Sequence, residues 1–243
     1  MAKLIILTGA GLSAESGLRT FRDDNGLWEN HPVEKICNGK TWRSNFELVR
    51  QFYNDRRTQL ATAEPNAAHL MIARWQSRYE TVLLTQNVDD LLERAGCSNV
   101  VHLHGFLPEM CCAECGTVWN IGYNECSTGT RCPECRSIHD VRPHIVFFGE
   151  QAPNYFRMWR ELDSPTDKDA LVIIGTSGKV LPAGEMARCF PGLKILNNLT
   201  TESYIDESVF NEVLHMPATN AVGKIDSALT EWFDQRKTRR VDN

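Results

Sequence analysis

Short runs of almost uninterrupted apolar residues set the limits on this fold. They lie at residues 3–8, 81–85, 99–102, 145–148, 170–174 and 193–196. Alternation between polar and apolar positions is missing from runs such as Leu4-Ile5-Ile6-Leu7 and Leu171-Val172-Ile173-Ile174. Strands of that kind are buried on both faces, as in a parallel sheet covered by helices. Amphipathic stretches at about 44–62, 66–79, 154–162 and 220–236 supply the helices, the last with Ile225, Leu229 and Trp232 at helical spacing. The fold class is therefore α/β: a parallel sheet flanked by helices.

Two segments interrupt that pattern. One is helical with no strand signal, and the other is rich in Cys, Gly and Thr. The expected division gives 1–30, 78–104 and 145–243 to the sheet domain. A smaller lobe takes 31–77 as a helical module and 105–144 as a cysteine-rich module. Ligands of open α/β sheets bind at the carboxyl ends of the strands, so the cleft between the lobes is the expected site.

The first run leads directly into Gly9-Ala10-Gly11-Leu12-Ser13-Ala14-Glu15-Ser16-Gly17. A glycine loop between a strand and a helix lets the backbone approach a phosphate closely. Dinucleotide dehydrogenases space their glycines as G-x-G-x-x-G. Here the third glycine comes late, and serines occupy the gap. A nucleotide site follows, but hydride transfer is disfavoured; the alternative is a plain tight turn.

The net charge of −5 gives no electrostatic case for nucleic-acid binding. No apolar stretch reaches membrane-spanning length. The chain enters its first strand at once, so neither a secretory leader nor an N-terminal regulatory segment is expected, and the location expected is cytoplasmic. In a reducing compartment the nine cysteines call for an explanation other than disulfides. Cys112 and Cys115 form one C-x-x-C pair and Cys132 and Cys135 a second, with sixteen residues between the pairs. That spacing suits a four-thiolate structural zinc site, which leaves no open coordination position for chemistry. Cys111 is the spare, and Cys37, Cys97, Cys126 and Cys189 read as small buried hydrophobes.

Polar clusters stand at other strand ends. His102-Leu103-His104-Gly105 follows one, and alternation puts both histidines on one face. His104, at the end and before glycine, suits a general base; His102, His69 and His144 read as structural. Gln86, Asn87 and Asp89 follow another strand and can pair with amide or ribose groups, or cap a helix before Leu91. Gly175-Thr176-Ser177 follows a third.

Taken in order, these motifs resemble the sirtuins. The matching residues are the glycine loop, Thr20-Phe21-Arg22, Gln86-Asn87-Val88-Asp89, His102-Leu103-His104-Gly105, the four cysteines, Phe148-Gly149-Glu150 and Gly175-Thr176-Ser177. The resemblance covers residues 3–183 and is closest to the bacterial single-domain branch that also removes acidic acyl groups. It implies a Rossmann-like sheet domain and NAD-dependent deacylation of protein lysines, with NAD consumed as cosubstrate and one structural zinc. The acyl oxygen attacks the nicotinamide ribose carbon, nicotinamide leaves, and His104 deprotonates a ribose hydroxyl. Nicotinamide, O-acyl-ADP-ribose and free lysine are the products.

By the same resemblance Gly9, Ala10, Gly11, Ser13, Ala14, Thr20 and Arg22 contact the cofactor, and Phe21 shields the reacting face. Gln86, Asn87 and Asp89 place the nicotinamide end. Gly175, Thr176, Ser177 and Asn197 serve the adenosine half, although the usual acid after Asn197 is missing and Gly184 replaces an alanine. Val146, Phe147, Phe148 and Gly149 would pair with the substrate backbone as an added strand. Tyr53 and Arg56, three apart on a helix, share a face. A phenol and a guanidinium can grip a carboxylate, and the desuccinylase-type branch carries this pair, so succinyl- and malonyl-lysine are expected substrates beside acetyl-lysine. The competing readings are a mono-ADP-ribosyltransferase or NAD glycohydrolase on the same fold, and a non-catalytic nucleotide-binding module.

Overall fold

The computed structural model describes residues 2–19, 27–28 and 31–238. The chain opens with β1 (Lys3–Thr8) and a single helical turn, α1 (Gly11–Ala14). Two-residue strands β2 (Leu27–Trp28) and β3 (His31–Pro32) pair with each other, followed by α2 (Val33–Ile36), α3 (Phe46–Thr62) and α4 (Ala67–Arg78). Next come β4 (Glu80–Thr85), α5 (Leu91–Arg94) and β5 (Val101–His102). The strands β6 (Gly105–Cys112), β7 (Val118–Asn120) and β8 (Val141–Ile145) lead to α6 (Tyr155–Leu162) and β9 (Ala170–Ile174). The chain ends with α7 (Ala183–Cys189), β10 (Leu193–Asn198), β11 (Glu212–His215) and α8 (Ala218–Thr238).

Six strands form one parallel sheet in the order β11-β10-β9-β1-β4-β5. Side chains alternate across it. Leu4 and Ile6 pack with Ile72 and Trp75 of α4 and with Ile225 and Leu229 of α8. Ile5 and Leu7 face the other way, onto Met158 of α6 and Met186 and Ala187 of α7. The uninterrupted apolar runs are thus explained: both faces are covered.

The order also fixes a ligand position. From β1 the chain crosses to β4 on one side and later returns to β9 on the other. The loops after these three strands therefore diverge from a topological switch point, the place where open α/β sheets leave a crevice. Register aligns the ends: Thr8 pairs with both Thr85 and Ile174, and Ile174 with Asn197.

The smaller lobe contains its own antiparallel sheet, β7-β6-β8. Helix α3 packs on it through a core that includes Val49, Phe52, Tyr53, Leu60, Leu107, Ile145 and Phe147. Asn54 and Cys126 exchange two hydrogen bonds, Asn54 Nδ2 to the Cys126 carbonyl at 3.1 Å and Cys126 N–H to Asn54 Oδ1 at 2.9 Å. This reciprocal pair clasps the helical segment to the cysteine-rich one.

Several expectations need correction. The run 145–148 is not a strand of the parallel sheet: β8 ends at Ile145 and belongs to the small antiparallel sheet. Beyond it, Phe148 makes a single parallel bridge to Asn38, and Phe147 is apolar because it is buried in the lobe core. The strand expected at 99–102 shortens to Val101–His102, and the helical segment opens with β3, which pairs with β2 just before it. The edge strand β11, four residues long with charged or polar ends, carries too little apolar signal to be read from the sequence.

Candidate active site at the sheet's switch point

A cleft of about 1050 Å³ lies over the carboxyl ends of β1, β4 and β9. Gly9, Ala10, Gly11, Ser13, Gln86, Asn87, Asp89, His104, Gly175, Thr176 and Ser177 all line it. So do Tyr53, Arg56 and the whole segment Val146-Phe147-Phe148-Gly149. Thr20, Phe21 and Arg22 lie outside the described residues. Ala14 is exposed and does not contribute to the described lining. Asn197 is buried away from the cleft, donating through Nδ2 to the Leu214 and Met216 carbonyls; its neighbour Asn198 is the cleft residue and bonds the Thr176 carbonyl. One step of strand alternation separates the two.

The glycines serve close packing of two loops. A Cβ on Gly9 would lie 2.6 Å from the Gly175 carbonyl oxygen, and one on Gly11 would lie 2.6 Å from Gly175 Cα. Gly175 itself has φ +69°, and its Cβ would sit 2.5 Å from Leu12 N. The amides of Gly9, Gly11, Leu12 and Ser13 are bonded within the protein, to Ile174, Gly175, Gly9 and Ala10 carbonyls. The glycine pattern therefore reports this interlock first; the amide cradle expected from sequence is largely used internally.

Ser13 Oγ is the hub of a buried network. It donates to Asp89 Oδ2 at 2.9 Å and accepts from Asn87 Nδ2 at 3.0 Å. Asp89 Oδ1 meanwhile accepts from Leu91 N–H, the first amide of α5, although the N-cap position itself is Asp90 and not Asp89. Burial, against its bonds to Ser13 and Leu91, pushes the Asp89 carboxyl up to about 6. His69 closes the network from α4. Its Nδ1 accepts from Asn66 N–H in a capping box, which leaves Nε2–H to point at Ser13 Oγ, 3.4 Å away. Burial pulls His69 down to about 4, so it is neutral. Asn66 also ties α4 to α1 through the Leu12 carbonyl.

β5 ends at His102, so strand alternation does not extend to His104, and of the two histidines His104 lines the cleft. His102 Nδ1 is 3.0 Å from the Asn87 carbonyl and Nε2 is 2.8 Å from Glu93 Oε1. Burial depresses its pKa, but Glu93 and the Asn87 carbonyl outweigh that and leave it raised. His104 Nδ1 is 3.1 Å from the Gln86 carbonyl, so Nδ1 carries the proton and Nε2 presents a lone pair to the cleft. Burial lowers the His104 pKa, opposed by the Gln86 bond. A neutral imidazole that keeps its Nε2 lone pair is the form a general base needs.

At the far end, Tyr53 is fully buried and stacks on Phe147 with ring centroids 5.9 Å apart. Its phenol meets Cys37, a cleft-wall residue that sequence reading treated as filler. Arg56 lies over Phe52, and burial together with the charge of Arg19 pulls its guanidinium down to about 10. Arg19 also lines the cleft and carried no sequence signal of its own. The segment 146–149 is held by Arg142 and Glu150, whose ion pair closes at 2.5 and 2.7 Å while Glu150 Oε2 accepts from Phe147 N–H at 2.9 Å.

Away from the cleft, the sulfurs of Cys112, Cys115, Cys132 and Cys135 all lie within 4.8 Å of one another. Zn–S bonds of about 2.3 Å put tetrahedral sulfurs roughly 3.8 Å apart, and the Cys112–Cys135 and Cys115–Cys132 separations are both 3.5 Å. The two knuckles repeat one geometry. Gly116 N–H bonds the Cys112 carbonyl and Arg136 N–H the Cys132 carbonyl, and both residues have positive φ, 75° and 66°. The donor set fits a closed structural zinc site. Cys111 stays out of it, with Sγ directed at the Pro143 carbonyl. No helix among the described residues is long and apolar enough to cross a membrane.

Comparison with known proteins agrees with this geometry. The model of the Sir2 family matches residues 9–182. An NAD-dependent protein deacylase of Helicobacter hepaticus is 41% identical, over 96% of this chain and 99% of its own. One of Campylobacter jejuni is 45% identical, over 88% and 92%. A crystal structure of a Sir2 homolog–NAD complex superposes with a TM-score of 0.82 at 31% identity, covering 95% of this chain and 90% of that one. A Rossmann-like sheet, a four-cysteine module and a switch-point cleft in this order of motifs mark the chain as a member of the Sir2 family.

Proposed function

We propose that this protein removes acyl groups from protein lysines at the expense of NAD, releasing nicotinamide, O-acyl-ADP-ribose and free lysine. The observation that carries this reading is convergence: four separate segments, around Gly9, Gln86, His104 and Gly175, meet in one cleft beside the Val146–Gly149 segment. Bound NAD supplies the ribose carbon that accepts the acyl oxygen once nicotinamide departs. The protein's own groups do the rest. Ser13, Asn87 and Asp89 hold the nicotinamide end through one preformed network, so little reorganisation is needed on binding. His104 Nε2 takes a proton from a ribose hydroxyl, with Nδ1–H anchored on the Gln86 carbonyl. The 146–149 segment receives the substrate backbone. The sheet domain thus binds the cosubstrate, and the zinc lobe forms the opposite wall.

Tyr53 and Arg56 are proposed to select acidic acyl chains. Two guanidiniums, Arg19 and Arg56, share the cleft, and their mutual repulsion favours an anion between them. The test is nicotinamide release with and without an acyl-lysine peptide, followed by mass spectrometry of products from acetyl-, succinyl- and malonyl-lysine substrates. Strict peptide dependence, lost in His104→Ala, is expected. Release that ignores the peptide would overturn the deacylase reading in favour of a glycohydrolase or ADP-ribosyltransferase.

A further inference from the structure

The lone pair of His104 Nε2 is already engaged. Tyr155 Oη stands 2.8 Å from it, with the two rings 5.8 Å apart. Because Nδ1 bonds the Gln86 carbonyl, Nε2 must be the acceptor and the phenol the donor. An imidazole nitrogen has one in-plane lone pair, so a second donor cannot be accommodated while the first remains. A general base needs the proton it abstracts within about 3.2 Å. The Tyr155 hydroxyl therefore occupies the position that an attacking hydroxyl must take.

The tyrosine is placed firmly. It begins α6, whose next turn buries Met158 in the sheet core, and its ring packs partly on the same cluster. Asn154, the preceding residue, donates through Nδ2 to the His102 carbonyl at 2.7 Å. Consecutive residues of one helix start thus grip alternate residues of the 102–104 segment. The Tyr155 side chain is itself only half-buried and lines the cleft, so the hydroxyl can swing out without disturbing the core.

We propose that Tyr155 is a positioning residue for His104: its hydroxyl holds the imidazole in the Nδ1–H tautomer in the free enzyme and yields Nε2 to the ribose hydroxyl when the cosubstrate is bound. The inference rests on the functional reading above. Among the described residues, the groups that bond the His104 imidazole are the Gln86 carbonyl from the β4 loop and the Tyr155 phenol from α6. A donor on Nε2 stabilises the neutral ring, so its removal favours the imidazolium.

The experiment is an NMR titration of the imidazole nitrogens in the free protein, comparing wild type with Tyr155→Phe, which keeps the ring and its packing. The wild type is expected to show Nδ1–H for His104. The variant is expected to titrate about 0.5–1 pH unit higher, the equivalent of roughly three- to tenfold in proton affinity for the loss of one neutral hydrogen bond. Saturating ADP-ribose should remove the difference, because the phenol has then left in the wild type as well. An unmoved His104 titration in the free variant, or a difference that persists with ADP-ribose, overturns the proposal. The functional reading is judged separately, by peptide-dependent nicotinamide release in the wild type, so the two can fail independently.

Discussion

Ser13 Oγ donates to Asp89 Oδ2 across 2.9 Å, inside a network that also holds Asn87 and His69. This bond offsets only part of what burial does to the carboxyl, which is raised from the ordinary 3.8 to about 6. A folded pKa above the unfolded one means that the native state holds the proton more tightly. The associated stability is complete below the unfolded pKa and is lost as pH rises through 6.

Asp89→Asn removes the charge and keeps one amide oxygen to accept from Leu91 N–H, while its NH2 replaces the oxygen to which Ser13 Oγ donates. It should stabilise the fold near pH 7.5 by about 1–3 kcal/mol, with the gain gone near pH 4. Thermal melts across that range check the sign; a gain that persists in acid contradicts it. Nicotinamide release should fall at least about tenfold, as expected when a preorganised charge is taken from a site.

Gly175→Ala puts a Cβ 2.5 Å from Leu12 N at a backbone φ of +69°. Both strain and overlap oppose it, so a cost of about 2–4 kcal/mol is expected. Urea denaturation reads this directly. A cost under about 1 kcal/mol would mean that the interlock of the two glycine loops yields easily.

The paired knuckles make an asymmetric prediction. Gly116 and Arg136 occupy equivalent left-handed positions, and only one is glycine. Arg136→Gly should stabilise the protein by about 1 kcal/mol and Gly116→Ala should destabilise it by a similar amount. Melting temperatures in the presence of zinc distinguish the two signs.

Removing the metal should loosen the small lobe and leave the sheet intact. One zinc per chain is expected by elemental analysis. Stripping it with a strong chelator should cost about 3 kcal/mol or more, lowering Tm by roughly 6–12 °C. Cys132→Ser should behave like the stripped protein without chelator. Unchanged melting after complete metal loss would remove the structural role.

Tyr53→Phe and Arg56→Met should separate the acyl substrates. Succinyl-lysine turnover is expected to fall by roughly 10²-fold, the scale of one lost charge-assisted contact, with acetyl-lysine turnover within about threefold. Equal losses on both substrates would sink the acidic-acyl assignment.

The parallel sheet was legible because strands buried on both faces have no alternative composition; β9 is apolar throughout and β1 is apolar from Leu4 to Leu7. The cysteine site was legible because metal geometry dictates ligand spacing. What escaped depends on partners distant in sequence. Phe147 looks like a strand residue, but its apolar character answers to Tyr53 on α3. Asn197 and Asn198 differ by one step of alternation, which motif order does not resolve. Tyr155 and Arg19 carry no motif at all and matter only through what the fold sets beside them.

The Asn54–Cys126 clasp has a consequence for biosynthesis. Its two halves are 72 positions apart, yet both precede β9, the strand that completes the centre of the sheet beside β1. A ribosome therefore delivers all four cysteines and α3 before the crevice can close. Ion capture in the growing chain can thus come before there is anywhere for a nucleotide to bind.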